Sequence, residues 1–186
     1  MSTKHTLSVL VENTPGILAR IAALFSRRGF NLDSVSEGTT QDPGISRLTI
    51  VVDAEVCPKE QVVKQIGKLV NVLKVVDFEP GSAITTEIAL LKVRADNRTR
   101  SQIVEIVQLF RARIVDVVPE SVTIEATGTT DRLAALLNML RPYGIKELVQ
   151  SGTVAIGRGA RSALDSTAQD PTALHGIGPG PWRATA

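Results

Sequence analysis

The chain has few of the residues on which disulfide frameworks and many enzyme active sites are built. Its 186 residues include one cysteine, Cys57, and two histidines, His5 and His175. A single cysteine cannot form an internal disulfide, which is typical of a reducing compartment. Two histidines near opposite ends of the sequence give a catalytic triad or a metal cluster little to build on. We therefore predict no catalytic residues, no cofactor-binding residues and no metal site in this chain.

An excess of one charge, a high aromatic content and a long apolar run are also missing. The formal net charge is +2 and aromatic residues make up 3% of the sequence. This composition provides neither a basic stripe with stacking aromatics nor an acidic tail. No apolar run approaches the roughly 18 residues needed to span a bilayer, and the N-terminus lacks a signal-peptide pattern. We predict a cytoplasmic protein that binds neither nucleic acid nor membrane.

What the sequence does contain is two successive runs of alternating strands and helices. Apolar residues recur with period two in the strands and on one stripe of each helix, which predicts two βαββαβ units. We predict an α+β fold of two consecutive ferredoxin-like sandwiches over residues 4–79 and 84–156, and a flexible tail over residues 157–186. In the two helices of the first unit, the residues that we predict on the inward apolar stripes are Ile17, Leu18, Ile21, Leu24, Phe25, Val62, Val63, Ile66, Leu69 and Val70.

A sheet with helices on one face leaves its other face, or an edge strand, without cover. Pairing with a second copy of the chain supplies that cover with no further partner. We therefore expect a symmetric dimer. The exposed strand edges of the second unit are candidates for contact with another protein.

The most informative local feature is the turn Glu12-Asn13-Thr14-Pro15-Gly16, which joins a short apolar strand to an amphipathic helix. Such a helix start points main-chain N–H groups and the positive end of the helix dipole at one place, which favours a small anion such as a carboxylate. The plainer alternative is an ordinary turn with Asn13 or Thr14 as the cap and Pro15 at the first helical position. Asn31, after the same helix, adds a second polar group that a paired subunit would bring near the turn.

The residues of this region carry a family resemblance. The segment from Glu12 to Arg20, the segment from Leu24 to Ser34, the segment from Asp42 to Ile50 and Ile114-Val115-Asp116-Val117 resemble the regulatory (small) subunit of acetohydroxyacid synthase, also called acetolactate synthase. The resemblance covers about residues 4 to 158. The tail extends beyond the usual end of this family.

The resemblance implies a non-catalytic regulatory subunit in branched-chain amino acid biosynthesis. It implies an N-terminal ACT domain over residues 4–79 that binds valine at a homodimer interface, and a C-terminal ferredoxin-like domain over residues 84–156. The implied partner is the large catalytic subunit, which would hold thiamine diphosphate, Mg²⁺ and FAD, whereas this chain would hold no cofactor. The effector-binding positions that the resemblance carries over are Asn13, Gly16, Ile17, Asn31 and Leu32.

A physical hypothesis for valine follows from those positions. The N–H groups of Gly16 and Ile17 would hold the carboxylate, and the amide oxygens of Asn13 and Asn31 would receive the ammonium group. A Cβ at residue 16 would intrude on the ligand. We expect the apolar pocket to come from Val11, Leu18 and Val35.

Two other functions stay open from sequence alone. A free-standing amino-acid sensor that regulates another enzyme or transcription would use the same ACT domain, but no helix-turn-helix, basic helix or zinc motif accompanies the two units. An enzyme in its own right is disfavoured by the scarcity of histidine and of paired acids.

Overall fold

A computed structural model describes residues 4–53, 58–160 and 163. Cys57, His175 and most of the predicted tail lie outside these residues. The chain divides into two compact units, one containing the described residues up to Ile84 together with those from Ala155 onward, and the other Thr85–Val154. No helix among the described residues is long and apolar enough to cross a membrane.

The first unit follows the predicted βαββαβ order. Its elements are β1 (Lys4–Glu12), α1 (Ile17–Arg28), β2 (Leu32–Thr39), β3 (Ile45–Asp53), α2 (Lys59–Ile66) and β4 (Val72–Phe78). The four strands form an antiparallel sheet in the order β2-β3-β1-β4, so β2 and β4 are its edges. The ferredoxin-like fold predicted from the sequence is confirmed.

One face of this sheet packs against the two helices. Alternate residues of β1 and β3 meet the apolar stripes of α1 and α2 in a single core, because a strand turns every second side chain to the same face. The buried members of this core are Leu7, Val9, Val11, Ile17, Ile21, Leu24, Phe25, Leu48, Ile50, Val52, Val62 and Ile66.

The end of α2 differs from the prediction. The helix stops at Ile66, with Gly67 as its C-cap, and a turn follows before β4. Leu69 packs partly against the core, but the Val70 side chain is 92% exposed. The predicted inward position of Val70 was wrong because the apolar spacing continues past the point where the helix ends.

The second unit repeats the order with a different core. Its elements are β5 (Ala83–Arg94), α3 (Arg100–Leu109), β6 (Arg113–Val118), β7 (Ser121–Gly128), α4 (Thr130–Leu140), a 3-10 turn at Arg141–Tyr143 and β8 (Ile145–Gln150). The path through the sheet is β6-β7-β5-β8, and a further strand, β9 (Val154–Gly157), pairs with β5. Strand β9 was not predicted from the sequence, and the last residue of this strand, Gly157, is the first residue of the predicted tail.

Candidate functional site

The turn between β1 and α1 has a glycine where the helix begins. Gly16 is the N-cap of α1 with a φ of 85°, a left-handed conformation that glycine adopts without steric cost. Pro15 therefore lies in the turn and not at the first helical position, and neither Asn13 nor Thr14 caps the helix. The helix therefore begins at Ile17, two positions later than a helix with Pro15 as its first residue would begin.

The first turn of α1 presents unsatisfied main-chain donors. Within the described part of the chain, the N–H groups of Gly16, Leu18 and Ala19 donate to no acceptor. The Ile17 N–H reaches the Thr14 carbonyl over 3.4 Å, which is longer than a well-formed bond of about 2.9 Å. No acidic side chain stands in this first turn. The helix start is therefore polarised for an anion and has no anionic group of its own.

Asn13 is held in place from the neighbouring β2–β3 turn. Its main-chain N–H donates to the Gly44 carbonyl at 2.8 Å, and its side-chain Nδ2 donates to the Pro43 carbonyl at 3.2 Å. Asp42 accepts from the Gly44 N–H at 3.0 Å, which keeps that turn closed. With Nδ2 occupied, the Oδ1 atom of Asn13 remains the acceptor that the side chain can offer to a ligand.

Asn71 forms hydrogen bonds at both ends of the turn, and it is not among the site residues predicted from the sequence. Its Nδ2 donates to Glu12 Oε2 at 2.7 Å, and its Oδ1 accepts from Arg20 on α1. The Glu12 N–H also donates to the Asn71 carbonyl at 2.9 Å. These partners are distant in sequence, so no local pattern in the sequence points to Asn71.

The structure does not bring all five predicted site residues together within one protomer. Asn13, Gly16 and Ile17 lie where β1 ends, at the Glu12–Ile45 end of the sheet. Leu32 pairs with Val52 at the opposite end, and Asn31 precedes it as an exposed residue. The twelve residues of α1 separate the two groups by roughly 18 Å. Asn31 and Leu32 can join the first three residues only if they come from a second copy.

The apolar residues near the turn differ in their availability to a ligand. Val11 is fully buried in the core and faces the helices, so it offers no surface, contrary to the expectation. Val35 packs against the same core from β2, whereas the Leu18 side chain is 42% exposed. Of the residues that the structure describes, none lies within 4 Å of a Cβ built on Gly16. Within one protomer the backbone conformation is thus the reason for glycine at this position.

The clearest pKa shifts belong to groups elsewhere in the chain. Hydrogen bonds and charge from Asp77, with Glu79 beside it, raise the pKa of Lys59 above its usual value. Hydrogen bonds from Thr99 lower the pKa of Asp96 at the start of α3. Neither group belongs to the β1–α1 turn. What this turn supplies is main-chain donors and the positive end of a helix dipole, which favour a small anion.

Comparison with known proteins matches both units. The family model for the ACT domain of the AHAS small subunit matches residues 7–74, and the family model for the small subunit of acetolactate synthase matches residues 86–159. The five predicted site residues lie inside the first of these ranges.

The chain also matches individual proteins over nearly the whole length of those proteins. The chain is 57% identical over 157 residues to the acetolactate synthase small subunit of Mycolicibacterium smegmatis, covering 84% of this chain and 92% of that protein. It is 49% identical over 156 residues to the probable acetolactate synthase small subunit of Archaeoglobus fulgidus, covering 84% and 98%. The crystal structure of the acetolactate synthase small subunit from Thermotoga maritima superposes with a TM-score of 0.79 at 38% identity, covering 86% of this chain and 99% of that one.

Proposed function

This chain belongs to the acetolactate synthase small-subunit family, and from that premise we propose that it is the regulatory subunit of acetohydroxyacid synthase in branched-chain amino acid biosynthesis. It is a non-catalytic subunit of a transferase complex. In our proposal it binds the large catalytic subunit, raises its activity and makes that activity sensitive to feedback inhibition by valine. The cytoplasmic location stays a prediction.

The observation that carries the effector part of the proposal is the set of unsatisfied N–H groups at the start of α1. An α-amino acid brings a carboxylate that these donors and the helix dipole would hold. Gly16 supplies one donor, and Ile17 supplies another once its long bond to Thr14 gives way. Among the described residues no group donates a hydrogen bond to the Asn13 Oδ1 atom, and this acceptor suits the ammonium group. The exposed Leu18 side chain supports an aliphatic effector.

The rest of the effector site would come from a second copy through the edge strand β2. If two β2 strands pair antiparallel about a twofold axis, the beginning of one lies beside the end of the other. The β2 strand begins at Leu32, at the far end of the sheet from the β1–α1 turn. Antiparallel pairing therefore carries the partner's Asn31 and the partner's Leu32 toward Asn13 and Gly16. This arrangement supports a homodimer through the ACT domains with one effector site at each end of the seam.

The catalytic apparatus of the complex would lie in the large subunit. We expect thiamine diphosphate, Mg²⁺ and FAD there, where pyruvate is converted to 2-acetolactate. The alternative of a free-standing amino-acid sensor is not favoured, because the matched relatives are synthase small subunits along more than nine-tenths of their length.

Reconstitution tests this function directly. The purified chain is added to a purified acetohydroxyacid synthase large subunit from a related bacterium, and acetolactate formation is followed with and without valine. We expect the chain to raise the rate and valine to reverse part of that increase. If the chain raises no rate and co-purifies with no large subunit, the proposed function is wrong. Activation without any valine response would retain the subunit role and remove the effector role.

A further inference from the structure

The sheet of the first unit has a second face that α1 and α2 do not cover. We call it the helix-free face. Its residues form three rows that cross β3, β1 and β4, as the pairing of neighbouring strands shows. The first row is Val51, Thr6 and Phe78, the middle row is Thr49, Ser8 and Val76, and the third row is Arg47, Leu10 and Lys74. Several of them are nevertheless buried, including Ser8 and Leu10, both fully. Something in the chain therefore packs over this face.

The residues that follow the second unit supply part of this cover. The Ala155 N–H donates to Thr49 Oγ1 at 3.3 Å in the middle row. The backbone at Gly157 passes so close to Phe78 that a Cβ there would lie 3.4 Å from the ring. Lys74 donates from Nζ to the Ala163 carbonyl at 3.0 Å in the third row. Three points of the chain, two within β9 and one six residues after it, therefore lie against the helix-free face.

Arg47, in the third row of this face, has a side-chain hydrogen-bond donor without an acceptor among the described residues. Its Nε atom is buried and has no hydrogen-bond partner within the described part of the chain. A buried guanidinium donor without an acceptor is costly, and a carboxylate is the acceptor that fits it best. Arg47 and Lys74 flank Leu10 from the two neighbouring strands, which puts their backbones roughly 10 Å apart.

We propose that the C-terminal segment of this chain, residues 158–186, docks on the helix-free face and that the carboxylate of Asp165 binds Arg47. Asp165 follows Ala163 by two residues. Two extended residues span at most ~7 Å, and the arginine and aspartate side chains bridge the remainder of the distance from Lys74 to Arg47. Twenty-three residues follow Ala163, enough to continue over the sheet, and the matched family range ends at residue 159. All but the first two residues of the docking segment therefore lie beyond the matched family range.

Hydrogen exchange on the full chain tests the proposal, with peptides covering residues 158–170 as the readout. Docked amides should exchange about tenfold more slowly than those of the same free peptide. Arg47→Glu should abolish that protection, Asp165→Arg should abolish it too, and the double variant should restore it because the ion pair is rebuilt in reverse. Asp170→Arg, the same charge change five residues later, should leave the protection in place. The exchange of β1 amides serves as the folding control.

Several outcomes would overturn the proposal. Wild-type exchange as fast as that of the free peptide would do so, as would protection that the two charge reversals fail to remove or the double variant fails to restore. Protection that appears only as protein concentration rises would assign the face to a second copy and would also overturn it. Should Arg47→Glu fail to fold, Asp165→Arg still decides, because it leaves every residue of the two described cores unchanged.

Discussion

Asn71 donates from Nδ2 to Glu12 Oε2 over 2.7 Å, and this bond ties the residue before β4 to the last residue of β1. On its other side the same amide accepts from Arg20 of α1. One side chain therefore fixes both the strand that enters the β1–α1 turn and the helix that leaves it. Because binding to a preorganised loop costs less ordering entropy, Asn71 should act on effector affinity without touching the effector.

Replacing Asn71 by alanine is expected to weaken valine binding by about 5–10-fold, since the loss of two side-chain hydrogen bonds at the site costs roughly 1 kcal/mol of preorganisation. Activation of the large subunit should persist. Calorimetric titration with valine measures the first effect. Gln65→Ala is the matched control, because Gln65 bonds Arg28 at the other end of α1. If both variants bind valine equally well, Asn71 does not position the loop.

Gly16→Asp should abolish inhibition by valine and preserve activation. An aspartate there places a carboxylate against the effector's own carboxylate, and we expect valine binding at least about 100-fold weaker, equivalent to ~2.7 kcal/mol. Gly81→Asp controls for charge and for backbone strain. Gly81 has a φ of 81° and open space around its Cβ position, almost the same as Gly16. Both variants should lose about 1 kcal/mol of stability from the left-handed backbone. A valine response in the Gly16 variant equal to that of the Gly81 variant would contradict the assigned site.

Local regularity made much of this fold predictable. The alternation of Leu7, Val9 and Val11 and the apolar stripe from Ile17 to Phe25 each point to one element and one buried face. The structure has both, except that Leu18 of the stripe is exposed. The start of α1 was harder because the rule for proline at a helix start competes with the backbone freedom of Gly16, and the glycine prevails. Strand β9 has four residues and one buried side chain, too little pattern to identify.

The site itself was predictable in its local part only. Asn13, Gly16 and Ile17 follow one another along the chain, so their proximity needs no tertiary information. The hydrogen bond from Asn71 to Glu12 depends on how the strands pair across a separation of 59 residues. The apolar periodicity of a single strand or helix does not specify that pairing. The separation of Asn31 from the turn likewise depends on the order and direction of strands. Helix and strand patterns specify neither, because each describes a single element.

The stability of the second unit should carry a pH dependence from Asp96. Its Oδ1 accepts from the Arg98 N–H, the Thr99 N–H and the Thr99 hydroxyl, each at 2.9 Å, and the Thr99 bonds lower its pKa from 3.8. A carboxylate whose pKa is lower in the folded state stabilises the fold above its unfolded pKa and loses that contribution as pH falls through the folded value.

Asp96→Asn should therefore be less stable than wild type near neutral pH, and the difference should shrink below about pH 4. Urea denaturation at about pH 6 and about pH 3 measures both differences. Asp131→Asn, in the first turn of α4, is the control for a general effect of removing a negative charge near a helix start. A difference between wild type and Asp96→Asn that stays constant with pH would contradict the role of the Asp96 charge.

Mixing two variants that each fail to bind valine gives the sharpest test of the shared site. A Gly16→Asp chain keeps Asn31 and an Asn31→Ala chain keeps Gly16, so a mixed dimer contains one site with both residues intact and one with both altered. Random reassociation makes half of the dimers mixed, and valine binding should return to about a quarter of the wild-type number of sites. The recovered sites should bind with wild-type affinity, because each is built from unaltered residues.

Each variant alone should bind little valine, and mixing the two variants without prior dissociation of the dimers should recover no binding. If the two residues served one site within a single protomer, neither chain would contain an intact site and mixing would restore no binding. The fraction restored therefore separates a site across two copies from one confined to a single chain.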